Sequence, residues 1–151
     1  MKSTLTLLCC LCLFACARRA ATPGILLLSR DAQGLLTLEA DGEGYIKAGA
    51  EKDVKQRVLK RIIYDGIPHN EISVVRLPMI DQTKLSSKQN ETLDELLNGE
   101  EIDRFFTDVR WLTNPVWVPN VKKVQRYQLT LNYDLLRRTL ESKGIIRKFG
   151  I

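Results

Sequence analysis

The segment Lys122–Ser142, KKVQRYQLTLNYDLLRRTLES, decides the class of fold. Its first half alternates. Tyr127, Leu129, Leu131 and Tyr133 fall on one side of an extended chain, and Gln128, Thr130 and Asn132 on the other. A period of two marks a strand with one face in a core and one near water. At Asp134 the pattern changes. Asp134 is expected to cap a helix, Leu135 to Ser142, that turns Leu135, Leu136 and Leu140 inward, with Gly144 ending it. The tail Ile145–Ile151 is too apolar to hang free and is expected to dock on the sheet. A half-polar strand leading into an amphipathic helix suits an α+β domain with an antiparallel sheet and helices on one face.

Working outward, Ala50–Asp65 carries the strongest helical pattern of the chain. Ala50, Val54, Val58 and Ile62 recur every four residues, and Leu59 and Ile63 widen the stripe. Glu51 and Asp53 are expected in its first turn and Lys60 and Arg61 near its last, as the helix dipole prefers. Gly66 supplies the stop and Pro68 prevents continuation. Lys55, Arg57, Lys60 and Arg61, with Lys52, are expected to form an exposed basic face, either solvated or facing lipid phosphate or an acidic partner. Before this helix, Ile25–Leu28 fits a short strand closed by a turn at Arg30–Gly34. Leu35–Lys47 then looks extended, with Leu36, Leu38 and Ala40 opposite Thr37 and Glu39. The run Gly42-Glu43-Gly44-Tyr45 matches no phosphate-binding spacing and is expected to be a bulge or bend at a strand end.

The middle of the chain is less regular. Ile72–Met79 reads as extended and Asp81–Asn90 as loop, after which Ser86 or Ser87 caps a helix through Leu97 that stops at Gly99. A second helical piece, Glu101–Phe106, turns Ile102, Phe105 and Phe106 inward; Glu100 and Asp103 are read as complements to its dipole rather than as an acid–base pair. Arg110–Val121 is extended and aromatic, and Pro115 and Pro119 suit an edge strand or surface loop. Trp111 and Trp117 are either core plugs or exposed anchors, and with Lys122, Lys123 and Arg126 they are candidate partner contacts. His69, the one histidine, sits in the turn-forming Gly66–Glu71 stretch and reads as a surface residue.

Composition narrows the function classes. Of 151 residues 44% are apolar and 27% charged, ordinary for one globular domain. The net charge of +5 comes from cations interleaved with acids, so no basic stripe for nucleic acid is expected. All four cysteines, Cys9, Cys10, Cys12 and Cys16, lie near the N-terminus, which leaves the rest of the chain without a disulfide, thiol nucleophile or thiolate metal ligand. No nucleotide loop or metal-ligand cluster appears, so no catalytic residue, metal or cofactor is expected.

The cysteines belong to a leader. Met1–Ala17, MKSTLTLLCCLCLFACA, places Lys2 before an apolar run, Leu5–Ala15, shorter than the roughly 20 residues that span a bilayer. The run ends in Leu13-Phe14-Ala15-Cys16, which resembles the lipobox of bacterial lipoproteins. On that resemblance residues 1–15 are a cleaved signal peptide and Cys16 is the lipid attachment site, carrying acyl chains such as palmitate. Residues 16–24 are then a tether and 25–151 the single domain. The rival reading is a small-x-small cleavage site at Ala15-Cys16-Ala17 that releases a soluble protein. In lipoproteins of this kind Ala17, rather than an acid, implies the outer membrane, here its periplasmic face.

Two further pieces, GEGYIKAGAEKDVKQRVLKRIIYDGIP (42–68) and YQLTLNYDLLRRTLESKGIIRKFGI (127–151), resemble a family of uncharacterised Gram-negative envelope lipoproteins. More distantly the pattern is similar to small α+β modules such as the LPP20 lipoproteins and the N-terminal domain of the flagellar protein FlgT. The resemblance supplies no catalytic residues. It implies an α+β domain with a sheet of three to four antiparallel strands and two or three helices on one face. It also implies a non-enzymatic, lipid-anchored accessory or assembly component of a cell-envelope complex, with the membrane and an envelope protein as partners and no nucleic acid. The alternative is a binding module for anionic glycan or lipid head groups.

Overall fold

The structure, a computed structural model, describes residues 24–66, 78–114 and 116–147. The expectations for the leader, for Cys16, for most of the tether, for His69 and for most of Ile72–Met79 therefore fall outside the described residues. Four strands, β1 (Leu26–Arg30), β2 (Leu35–Gly44), β3 (Phe106–Trp111) and β4 (Lys123–Asn132), form one sheet in the order β1-β2-β4-β3. Every neighbouring pair is antiparallel. Three α-helices follow the chain as α1 (Lys47–Tyr64), α2 (Ser87–Asn98) and α3 (Tyr133–Ser142), with 3-10 turns at Gln82–Lys84 and Glu100–Phe105. The fold is α+β.

Alternation places the core. Leu36, Leu38 and Ala40 of β2 and Tyr127, Leu129 and Leu131 of β4 are buried, and the residues between them are half-exposed. The buried face meets Ala50, Val54, Val58, Leu59, Ile62 and Ile63 of α1, Leu93, Leu96 and Leu97 of α2, Ile102 and Phe105 of the second 3-10 turn, and Leu136 and Leu140 of α3. The β1–β2 turn is built on Asp31, whose Oδ1 accepts from the amides of Gln33 and Leu35 at 2.9 and 2.7 Å.

Local chemistry corrects several boundaries. Helix α1 starts three residues before Ala50, so Glu51 and Asp53 leave its first turn for other partners. Gly66, at φ +74°, terminates it in the left-handed conformation that glycine adopts without penalty. Helix α2 runs through Leu97 and stops at Gly99 as expected but begins at Ser87, which takes Ser87–Asn90 out of the expected loop. It carries a full capping box, in which Ser86 Oγ accepts from Gln89 N–H and Gln89 Oε1 accepts from Ser86 N–H. Helix α3 is capped by Asn132, whose Oδ1 accepts from Leu135 N–H at 2.9 Å, and not by Asp134. Tyr133 accordingly belongs to the helix. Phe106, at the start of β3, faces inward and packs against the core but is half-exposed, unlike Phe105. In the tail, Ile145 joins the core, its N–H bonds to Leu140 O, and Gln89 Nε2 donates to Gly144 O at 2.7 Å. Helices α3 and α2 thus hold the described part of the tail.

Of the expected bulge or bend, the bend is found, at Tyr45–Ile46 just after β2 ends, and no bulge occurs at Gly42–Gly44. β2 pairs with β4 in unbroken register from Leu35↔Asn132 to Gly44↔Lys123. The glycines serve helix packing instead. A Cβ on Gly42 would collide with Ala50 O and lie 2.8 Å from Val54 Cβ, and one on Gly44 would lie 2.9 Å from Ile46 O. Helix α1 therefore rests directly on the β2 backbone.

Candidate functional site

The close approach of α1 to β2 shapes the end of the sheet where α1 begins. Gly42 pairs with Gln125, Ala40 with Tyr127, and Tyr127 in turn with Trp111. Gln125, Tyr127 and Trp111 therefore share the helix-covered face beside the first turn of α1. Tyr127 is fully buried and its hydroxyl reaches Lys47 O at 3.4 Å. Burial, helped by the charge of Glu51, pushes the phenol up to about 12, so Tyr127 stays neutral. Lys47 Nζ stands 2.8 Å from the centroid of the Trp111 ring, a cation–π contact. Trp117, partly buried, and the loop residues Thr113 and Asn114 complete a cavity of ≈ 230 Å³ with Lys47, Trp111, Gln125 and Tyr127.

Exposed apolar residues gather in the segments that flank this cavity. Of the ten large hydrophobic residues exposed among the described ones, eight belong to Tyr45–Ile46 or to Trp111–Val124. Val116 is 82% exposed and Trp111 43%. The loop between β3 and β4 turns tightly at Val118–Val121. Asn120 takes φ 59° there, and Val121 N–H bonds to Val118 O at 3.2 Å. Pro119 and Asn120 occupy the positions that proline and asparagine favour in such a turn. The turn holds Val118 and Val121 outward on a short, fixed frame.

The cations read from the sequence do not form one group. Lys122 Nζ pairs with Glu43 Oε2 at 2.6 Å. Glu43 also takes Arg57 at 3.2 Å, and these two cations, Lys122 before Arg57, hold its carboxyl below its ordinary value. Arg126 lies on the opposite face of the sheet, paired with Asp41 at 3.1 Å. Lys123 is half-exposed. Trp111 and Trp117 are thus brought together with Lys47, Gln125 and Tyr127, three residues that sequence reasoning did not single out. Gln125 had a legible signal: it is a polar residue at an inward position, two before Tyr127.

The basic helix face is corrected too. Lys55 is buried, with 8% exposure, and spans α1 and the second 3-10 turn through Glu51 at 2.6 Å and Asp103 at 2.9 Å. Desolvation disfavours its charge, but the hydrogen bonds it donates to Glu51 and Asp103 outweigh it and leave its pKa above the ordinary value. Asp103, in the first turn of the 3-10 helix with Glu100 as expected, is also the partner of a buried lysine. Arg57 bonds Asp53 at 2.8 Å, and Asp53 Oδ2 also accepts from the amide of Glu43 at 2.8 Å. That contact covers the stretch of β2 beyond the end of its pairing with β1. Arg61 pairs with Asp65 at 2.7 Å, and Lys52 and Lys60 are exposed.

Among the described residues, no group of three or more His, Cys, Asp or Glu side chains is arranged to hold a metal ion, and no helix is long and apolar enough to cross a membrane. Compared with protein-family models, with curated proteins and with solved structures, the chain matches none.

Proposed function

We propose that the chain is a non-enzymatic, lipid-anchored envelope protein that docks a protein partner through the tryptophan-bearing end of its sheet. The observation that carries this reading is the concentration of exposed apolar side chains in the segments that flank the cavity, Tyr45 and Ile46 on one side and Trp111, Leu112 and Val116 on the other. Contiguous apolar surface rimmed by polar residues is the property that separates an interaction site from ordinary surface. Tryptophan is also the residue most enriched among binding hot spots. The anchor rests on the leader, with Cys16 as the acylated residue and the periplasmic face of the outer membrane as the destination. Anionic glycan or lipid head groups have less to bind, because Lys55 and Arg57 are already neutralised by Glu51, Asp103, Asp53 and Glu43.

A photo-crosslinking residue at Val116 is expected to give one discrete protein adduct in cells, and the same residue at Lys60 none. Equal labelling from both positions refutes the docking surface. Mass spectrometry of the N-terminal peptide tests the anchor: an unmodified N-terminus on protein recovered in the soluble fraction refutes it.

A further inference from the structure

The order β1-β2-β4-β3 leaves β3 at one edge of the sheet, and among the described residues nothing pairs with its far side. Register shows which backbone groups it presents there. Leu112 N–H bonds to Arg126 O at 2.9 Å, and these two residues continue the register Arg110↔Gln128, Trp111↔Tyr127. Bonded and non-bonded positions alternate along an antiparallel pair, so Asp108, Arg110 and Leu112 turn their N–H and C=O toward β4. Val109 and Trp111 turn theirs outward. The other open stretches of the sheet are guarded. Beyond β1, the outward amide of Glu43 is taken by Asp53 at 2.8 Å, and β1 itself breaks register between Leu27 and Ser29. β3 breaks register only before Asp108, and from Asp108 to Trp111 it is regular.

We infer that β3 pairs with β3 of a second copy of this chain, antiparallel about a two-fold axis at Val109, so that two sheets join into one. Two side chains select this partner. Asp108 and Arg110 stand opposite Thr130 and Gln128 on the face of the sheet away from the helices, and pair with each other at 2.6 Å. Both stay open to solvent, Asp108 with 42% and Arg110 with 70% of its side chain exposed. Charges on an edge strand ordinarily keep other strands away, because an arbitrary strand leaves them unmatched. A second copy matches them in one register. The outward groups of Val109 and Trp111 permit a two-fold at Asp108, at Val109 or at Arg110. The first sets two carboxylates directly opposite each other and the last sets two guanidinium groups opposite, and like charges so placed are destabilising. A two-fold at Val109 sets Asp108 of each copy opposite Arg110 of the other, while Val109 exchanges both backbone bonds with its counterpart. The four charges then alternate in sign across the seam. Residues opposite each other point to the same face, so the helices of both copies lie on one side of the joined sheet.

This pairing uses the edge of the sheet and does not depend on the docking reading above. The full chain, solubilised in density-matched detergent, is weighed by sedimentation equilibrium over a range of concentrations. The native chain is expected to associate reversibly to the mass of two copies. Asp108→Arg leaves the edge wholly cationic and Arg110→Asp leaves it wholly anionic, so each alone should weaken self-association by about tenfold or more. Mixed in equal amounts, the two variants should associate at least as tightly as the native chain, because every charge on the seam again faces its opposite. That recovery also shows that both variants are folded. A native chain that stays single at every concentration overturns the inference. So do single variants that associate as tightly as the native chain, or a mixture that associates no more tightly than its components. No other protein is needed, so failure here leaves the Val116 crosslinking result to stand or fall by itself.

Discussion

Replacing Gly42 by alanine tests the claim that α1 rests on bare β2 backbone. The new Cβ would fall 2.8 Å from Val54 Cβ and 3.1 Å from Ala50 C, with Ala50 O closer still. Carbon atoms settle at about 3.5–4.0 Å, so α1 must retreat by about 0.7 Å or more. Ala50 O cannot yield by changing rotamer, because it belongs to the helix backbone. A retreat of that size opens gaps beneath Ala50, Val54, Val58 and Ile62 and forfeits a quarter or more of their dispersion contacts. Overpacking of a tight core costs about 1–3 kcal/mol, and the rigid partner here puts Gly42→Ala at the upper end, about 3 kcal/mol. That is a large part of the 5–15 kcal/mol by which a domain is stable, and should lower Tm on the order of 10 °C. Urea unfolding followed by tryptophan emission measures it, with Gly49→Ala as the control. Gly49 lies inside α1 with its nearest outside atom, Ile46 Cγ1, at 3.7 Å, so alanine fits there and should stabilise by about 0.5 kcal/mol. If Gly42→Ala falls within about 0.5 kcal/mol of the native protein, the close-approach account is wrong.

Two further substitutions probe the helices. Ser86→Ala removes one half of the capping box on α2 and should cost about 1 kcal/mol in the same urea assay; no loss would mean that the packing of Leu93, Leu96 and Leu97 alone sets the helix start. Lys55→Ala should cost about 1–2 kcal/mol and Lys55→Met much less, because the buried stem packs while Asp103, 69% exposed, remains solvated without its cation. Since its folded pKa lies above 10.5, whatever the lysine charge contributes is fully present below that pH and is lost as pH rises through the folded value. Any remaining advantage of native protein over Lys55→Met should therefore shrink above about pH 10.5, and an advantage that grew with alkalinity would contradict the pairing.

Periodicity carried most of the architecture. The alternation of Tyr127, Leu129 and Leu131 and the four-residue recurrence of Ala50, Val54, Val58 and Ile62 each name a buried face, and the structure buries those residues. Both signals are local, arising from the backbone repeat of one element in contact with water on one side. Stops at Gly66 and Gly144 were legible for the same reason, since a left-handed residue is a property of a single position. The caps were half legible. Ser86 was one of two candidates, whereas Asn132 was hidden by its place at the end of an alternating strand and Asp134 drew attention instead.

Partners across elements could not be read from the chain. Lys55 shares a helical pattern with the exposed Lys52 and Lys60, and nothing within α1 reveals that Asp103 will arrive to pair with it. The strand end and bend after Gly44 were legible, but not why Gly42 and Gly44 must be glycine, because the sequence does not say that a helix will cross them. Trp111, Trp117, Lys47 and Gln125 lie up to 78 positions apart and meet because the β2–β4 and β3–β4 registers align Gly42 with Gln125 and Trp111 with Tyr127. The sequence by itself thus determined the class of fold and the core faces, since each depends on short-range pattern. Tertiary structure alone decided which cations were neutralised, why the glycines were needed and where the tryptophans met. Those are distances between elements, set by register and packing rather than by the order of residues within any one of them.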